Sequence, residues 1–507
     1  MTLRHHLPFC VACFLAALGI GFLVTQTAPG ISPDSILYID IAENILDKGL
    51  LEVVGAAKFA GPLYPILIAA FTYLGFSIEG AAEIIPILSF ALLMFPMFYL
   101  GKTIWNSTMG YLACIICLAF TPSLIVLASF IWTDMPALLM STAALLFLVK
   151  YTKSHGTAVL FLSGLFVALA ILFRLMSVAL LIVGFATIVI ENRHKLQFRR
   201  MAWHILVFGS LSGFLALLWF TQYSSTLAKY EPFQGANLAA LVENLSYGLK
   251  MMLYYFLPGL SFNNIFLCVA LTATAGYLIL LAAYGMKGLR AFVGHITDFI
   301  SENQILLLYI LIYFTFVTIL TSVVWDYGVT NRYFTQIYPF ILITAVAFAI
   351  HLYRSTAGKL RLTIALMIIP MCLLFFPLQA HTSATFCQKA RLGQEVNDPY
   401  WREHEGLGWI RENVREDWVV YTDLKYRYAI DYHLPNPTQQ IQNYFHFYLR
   451  PERDYAIITF HNIPIYLPSE LRYPVSKKAP HYGFLTQVGN FKDCTIWVPT
   501  IQAERFQ

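Results

Sequence analysis

Charge is what this sequence has least of. Asp, Glu, Lys and Arg make up 12% of its 507 residues, against about 25% in an average soluble domain. Intrinsic disorder is excluded, because it requires low hydrophobicity and high charge. A purely soluble enzyme is excluded too, since its core could not hold this much apolar surface. No short period recurs, which removes fibres and repeat arrays. No long basic run is interleaved with aromatics, which removes a nucleic-acid partner. Cysteine is scarce, at 8 residues. Cys10-x-x-Cys13 and Cys114-x-x-Cys117 sit inside apolar runs, where core packing is expected rather than zinc or redox chemistry. Residues 400–507 contain no phosphate-cradling glycine loop, catalytic-triad pattern or zinc spacing.

What is present is apolar: 58% hydrophobic residues and 16% aromatic ones. A membrane-crossing helix needs about 17–25 mainly apolar residues. Candidate spans fall at 7–27, 82–100, 108–126, 134–151, 157–173, 175–190, 202–221, 263–284, 303–323, 335–352 and 362–379. Arg174 divides the long 157–190 block into two helices. The first run is longer than a signal-peptide core of about 7–15 residues and lacks a clear small-x-small cleavage site, so it reads as a retained helix. The expected fold is mainly α and polytopic, with a small C-terminal α/β domain. Charge marks the boundary between them. Residues 380–507 hold 14 of the 33 basic and 14 of the 28 acidic residues. The domains are therefore read as 1–379 in the membrane and 380–507 outside it.

Basic residues orient the spans. With a cytoplasmic N-terminus, 13 of them fall in cytoplasmic loops and 6 on the other side. The stretches Asn192–Arg200 and Arg354–Arg361 anchor that choice. The C-terminal domain then lies outside the cytoplasm, as it would on the periplasmic face of a bacterial inner membrane. Most acids of the membrane part also fall on that outer side, which suggests an outer-face polar site. Within the C-terminal domain, 405–414 and 426–434 read as helices, and 418–422, 455–460 and 494–498 as strands. It is expected to cap the site or dock an acceptor. Cys387 and Cys494 are its only cysteines, and an oxidising compartment permits them to pair.

The first outer loop, about 28–81, carries the richest pattern. Ser32-Pro33-Asp34 is a helix start, with serine as cap and proline in the first turn. Ile36, Ile39, Ile45, Leu46 and Leu50 form an apolar stripe opposite Asp34, Asp40, Glu43 and Asp47, as in a helix lying in the membrane interface. Gly49 ends it. Pro62 to Leu74 is a second apolar segment, short for a span.

Asp34-x-x-x-Tyr38-x-x-x-Ala42-x-x-Ile45-x-x-x-Gly49, followed by Gly61-Pro62-Leu63-Tyr64-Pro65, resembles the first outer loop of the polytopic GT-C glycosyltransferases. The nearest branch holds protein mannosyltransferases and lipid A aminoarabinose transferases. Three later segments agree in order: Trp132-Thr133-Asp134-Met135-Pro136, the stretch from Gly164 to Arg174, and Asn331-Arg332-Tyr333-Phe334 before Tyr338-Pro339. This sequence has Asp34-Ser35 where the family often has Asp-Glu. It has Gly61-Pro62-Leu63, with Lys58 nearby, where the family often has Lys-Pro-Pro-Leu. The resemblance implies a sugar donor carried on a polyprenyl phosphate, an acceptor that is a glycan, lipid or protein, and reaction on the outer face among membrane lipids. It further implies that Asp34 is catalytic, and Tyr38, Tyr64 and Tyr333 are expected as substrate contacts.

The chemistry asks for the same residue types. An acceptor hydroxyl must lose a proton, for which a carboxylate serves as general base. A departing phosphate is best held by arginine, whose planar donors bind it in pairs. Asp34 is the expected base. Asp134 is expected to orient the acceptor or hold a divalent metal. Arg332, Arg174 and Lys58 are expected to hold the donor phosphate, and a single displacement would invert the anomeric centre. Plainer readings stand beside these. Asp34 could simply favour its helix dipole, Asp134 could precede a helix cap, Arg174 could snorkel, Arg332 could pair with Asp326, and Lys58 could be surface. Two other functions compete: a transporter or flippase of lipid-linked sugars, and a polymerase or ligase using a diphosphate-linked donor. Trp325-Asp326-Tyr327-Gly328 matches most of an oligosaccharyltransferase signature, but two spans are expected after it, unlike the signature's place in that family.

Overall fold

The computed structural model describes residues 5–26, 28–50, 61–193, 198–227, 238–256, 293–323, 331–356, 358–390 and 404–415, together with five strands between 419 and 499. The chain divides into two compact units. One comprises residues 1–26 and 37–391, the other residues 27–36 and 392–507.

The larger unit is helical. Its helices are α1 (Leu7–Val24), α2 (Pro33–Lys48, whose first turn belongs to the other unit), α3 (Leu63–Tyr73), α4 (Ile78–Ile104), α5 (Ser107–Ala119), α6 (Pro122–Ser129), α7 (Asp134–Ser154), α8 (Thr157–Phe173), α9 (Val178–Asn192), α10 (Phe198–Leu227), α11 (Leu238–Phe256), α12 (Gln304–Val323), α13 (Asn331–Phe334), α14 (Tyr338–Ser355) and α15 (Gly358–Ala390). Among the described residues, 7 helices are long and apolar enough to cross a bilayer, or 8 if α5 and α6 form one broken span. This is an integral membrane protein. The expected span 263–284, Lys58 and the Trp325–Gly328 signature lie outside the described residues.

One expected span differs in the fold. The span expected at 108–126 is bent by 61° between α5 and α6. Pro122 opens α6, and Thr121 before it leaves the helical region with φ −132° and ψ 72°. A proline ring disfavours helical backbone at the residue preceding it. Near the end of this unit, α15 runs from Gly358 to Ala390, and its Cys387 is a free thiol.

The core of this unit is one contiguous apolar cluster. Cys10, Cys13, Cys114 and Cys117 are buried within it as free thiols. Gly184 lets α9 and α10 close, because a Cβ there would collide with the buried ring of Phe208. The centre of the bundle is α7, almost wholly buried along its length. Polar residues cluster at its two ends. At its C-terminal end the Tyr151 hydroxyl lies 2.7 Å from Nδ1 of His204 and accepts from Asn192 Nδ2 at 3.2 Å. Lys153 reaches the Thr103 carbonyl there, and Arg200 donates to the His155 carbonyl at 3.4 Å. These basic residues belong to loops assigned to one side by sequence. Asp134 begins the helix at the opposite end.

The first outer loop forms the expected helices. Ser32 and Ser35 cap the start of α2: the Ser32 amide donates to Ser35 Oγ at 3.0 Å, and the Ser35 amide to the Ser32 carbonyl at 2.9 Å. Gly49 follows its end with φ +89°, a left-handed conformation that glycine adopts without strain. The smaller unit holds helix α16 (Glu405–Asn413) and a five-stranded sheet of β1 (Val419–Thr422), β2 (Thr438–Gln440), β3 (Tyr455–Phe460), β4 (Leu485–Asn490) and β5 (Cys494–Pro499). The strand order is β2-β1-β3-β5-β4. β1 lies parallel to β2 and β3, with Val420 opposite Thr438 and Ala456. β5 runs antiparallel to β3 and β4, pairing Ile458 with Ile496 and Gln487 with Trp497. Strands β2 and β4 are not evident in the sequence. The helix expected at 426–434 lies outside the described residues.

Candidate active site

Three charged residues from distant parts of the chain meet at the N-terminal end of α7. Asp134 opens that helix and is fully buried. Arg174 ends α8 in extended backbone, with φ −154° and ψ 122°. Arg332 lies in the short helix α13, 198 residues beyond Asp134. One carboxylate oxygen, Asp134 Oδ2, accepts from both: from Arg174 Nη1 at 2.5 Å and from Arg332 Nε at 2.8 Å. The arginine side chains are only 10% and 17% exposed. Two guanidiniums thus share one carboxylate oxygen.

Each member is held by neighbours. The Arg332 guanidinium lies over the Trp132 ring, 4.2 Å from its centroid, and Phe130 stacks on the same ring at 4.1 Å. Arg174 stands 5.4 Å from the Tyr333 ring centroid. The Tyr333 carbonyl accepts from the Tyr313 hydroxyl at 3.1 Å. Gln336, one turn after Arg332, donates Nε2 to the Asp134 backbone carbonyl at 2.8 Å. It ties the turn after α13 to the start of α7.

The cluster is not internally satisfied. Asp134 Oδ1, Arg174 Nε, Gln336 Oε1 and Ser177 Oγ are buried without a hydrogen-bond partner. Buried polar atoms left in that state are costly. No three His, Cys, Asp or Glu side chains among the described residues converge as a metal site. Asp134, expected to orient an acceptor or hold a divalent metal, has one carboxylate oxygen engaged by the two arginines.

The other residues singled out by sequence are placed as follows. Tyr38 in α2 brings its hydroxyl within 3.5 Å of Thr133 Oγ1, next to Asp134. Its ring packs edge-on against Tyr64, at 5.2 Å between centroids. Tyr64, expected against substrate, is wholly buried and donates its hydroxyl to the Ala82 carbonyl at 2.8 Å. Asp34 occupies the first turn of α2, one turn before Tyr38. Sequence reasoning had assigned no role to Gln336, Ser177 or the Trp132 face. The spacing of Gln336 four residues after Arg332 was the one signal available for it.

Residues 60–220 match the model of the dolichyl-phosphate-mannose-protein mannosyltransferase family, a stretch that includes Gly61, Asp134 and Arg174. The fold compares with ArnT from Cupriavidus metallidurans solved with undecaprenyl phosphate, at a TM-score of 0.55 and 12% identity over 99% of both chains. The chain shares the fold of this ArnT structure. ArnT in its apo state compares at the same TM-score, with 98% of this chain covered and 99% of that one. The oligosaccharyltransferase of Archaeoglobus fulgidus in its apo form gives 0.50 at 12% identity, covering 86% of this chain and 65% of that one. No curated protein matches the sequence. Within this fold, Arg332 lies beyond the family match and reaches the site only through folding.

Proposed function

We propose that the protein transfers a sugar from a polyprenyl-phosphate carrier to an acceptor hydroxyl on the outer face of the membrane. The observation that carries this reading is the Asp134–Arg174–Arg332 cluster. Buried arginines beside membrane-spanning helices are costly and often mark functional sites. Two arginines converging on one carboxylate bring together planar donors of the kind that bind phosphate in pairs. ArnT, which shares the fold, is solved with undecaprenyl phosphate; a phosphate lipid of that class suits these donors.

In this mechanism the acceptor oxygen attacks the anomeric carbon as the bond from that carbon to the phosphate oxygen breaks. The polyprenyl phosphate leaves with the bonding electron pair and is held by Arg174 and Arg332, with Lys58 as a further cation. Asp34 takes the proton from the acceptor hydroxyl as general base. A single displacement inverts the anomeric centre. Asp134 contributes by fixing both guanidiniums, so that they need not reorganise as charge develops on the leaving group. Tyr333 beside Arg174 offers a polar aromatic surface to the donor, and Tyr38 couples the first-loop helix to the same place. The C-terminal unit serves the acceptor. On the sidedness read from basic residues, the reaction faces the periplasm or its equivalent.

The test is transfer of a radiolabelled sugar from an undecaprenyl-phosphate donor by purified protein in lipid nanodiscs. An Asp34→Asn variant is expected to lose at least 100-fold in kcat and to keep donor binding. Full turnover by that variant would remove Asp34 as base, and no transfer by the wild type from a panel of such donors would remove the reading itself.

A further inference from the structure

Gly61 begins the described part of the first loop after residue 60, and the place where it rests is unusual. A Cβ built on Gly61 would lie inside van der Waals contact of the Phe173 and Leu172 carbonyl oxygens, and 2.5 Å from the Phe173 carbonyl carbon. All three obstacles are backbone atoms, so no side-chain rotation relieves them. They belong to the last turn of α8, whose C-terminal carbonyls have no partner within the helix. In their place the glycine presents only hydrogens, and Cα–H groups form weak contacts with carbonyl oxygens.

The next residue after that turn is Arg174. Its backbone is confined on both sides: its amide donates to the Ala170 carbonyl at 2.8 Å, and its carbonyl accepts from the Ser177 amide at 3.0 Å. A displacement of residues 172–173 therefore passes into Arg174, whose Nη1 is 2.5 Å from Asp134. Charge-assisted hydrogen bonds of this kind depend on geometry. The loop touches the cluster at a second point as well, where the Tyr38 hydroxyl meets Thr133 just before Asp134.

We propose that Gly61 is a positioning residue for the lipid-phosphate site: its lack of a side chain lets the first loop seat on the Leu172 and Phe173 carbonyls, and that seat sets the reach of the Arg174 guanidinium. This rests on the reading that Arg174 binds a polyprenyl phosphate. Gly61 touches neither donor nor acceptor and acts through Arg174 alone. Its effect therefore falls on lipid-phosphate affinity and vanishes when the guanidinium is absent, which a general folding role would not do.

The experiment is a double-mutant cycle on full-length protein in nanodiscs, with undecaprenyl monophosphate as the probe and binding read by native mass spectrometry. The expected result is a Kd at least 10-fold weaker in Gly61→Ala than in the wild type. In an Arg174→Ala background the same change is expected to alter Kd less than 2-fold. Equal weakening in both backgrounds, or none in the first, overturns the proposal. Should Gly61→Ala not fold, a Gly-Gly insertion between Gly61 and Pro62 loosens the seat without adding a Cβ. It is expected to show the same dependence on Arg174, and an insertion without that dependence overturns the proposal. A wild type that binds no undecaprenyl monophosphate removes the phosphate reading as a whole. A wild type that binds it without coupling between residues 61 and 174 removes this inference alone.

Discussion

Replacing Asp134 by asparagine is the perturbation whose size the structure fixes best. The amide keeps the shape of the carboxylate and removes its charge. Oδ2 now accepts from Arg174 at 2.5 Å and Arg332 at 2.8 Å, with no solvent at the carboxylate. In the variant, the negative charge that two mostly buried guanidiniums share is gone. Removing one partner of a buried ion pair costs about 3–5 kcal/mol. Both arginines retain some solvent contact, which favours the lower end, about 3 kcal/mol. That is more than a 100-fold change in the ratio of folded to unfolded protein. The assay is reversible unfolding in mixed detergent micelles, followed by tryptophan fluorescence. A second substitution, Arg174→Met, removes one stranded charge and is expected to restore part of the loss, a negative coupling that only contacting residues show. If Asp134→Asn stays within about 0.5 kcal/mol of the wild type, the size of an ordinary surface change, the cluster is not a buried counterion arrangement.

Other consequences are open to direct measurement. Trp132→Leu removes the ring under Arg332; a cation–π contact is worth about 0.5–2 kcal/mol, so donor KM is expected to rise roughly 2- to 30-fold with kcat little changed. Tyr64→Phe deletes the bond to the Ala82 carbonyl and is expected to cost about 1 kcal/mol of stability, with unaltered donor KM in the transfer assay. Gly184→Ala forces a Cβ into the Phe208 ring and is expected to destabilise by about 1–3 kcal/mol through overpacking, measured by the same unfolding assay. The Glu43 carboxyl is held above its usual range by partial burial and by the nearby charges of Asp40, Asp47 and Glu79. The folded state therefore binds that proton more tightly than the unfolded state. Stability falls as pH rises through the Glu43 titration, and Glu43→Gln is expected to flatten that dependence in unfolding measured across the range.

The parts of this protein that were legible in its sequence are those where a residue is out of place for its surroundings. Asp134, Arg174 and Arg332 stand out because a charge beside an apolar span is expensive. The first-loop helix stands out because Ser32-Pro33 and Gly49 punctuate it. What stayed hidden depends on contacts between segments far apart. Nothing local says that Arg332 will share a carboxylate oxygen with Arg174, or that Trp132 will lie under the Arg332 guanidinium. Asp134 read as a residue for acceptor or metal because its chemistry permits both; only its neighbours show how its charge is used. Tyr64 was drawn toward substrate by its motif, whereas its hydroxyl finds a carbonyl on α4. The bend at Thr121–Pro122 was locally encoded, but a run of apolar residues across it masked the break.

The central claim is that Arg174 and Arg332 together hold the phosphate of a polyprenyl carrier. Its most direct test is the affinity of undecaprenyl phosphate for the wild type and for Arg174→Gln, Arg332→Gln and the double variant, measured in nanodiscs at two salt concentrations. Bonds to charged groups contribute about 1.5–3 kcal/mol each, so each single variant is expected to bind about 10- to 150-fold more weakly, and the double variant more weakly than either. Affinity that is unchanged in both single variants would contradict the claim.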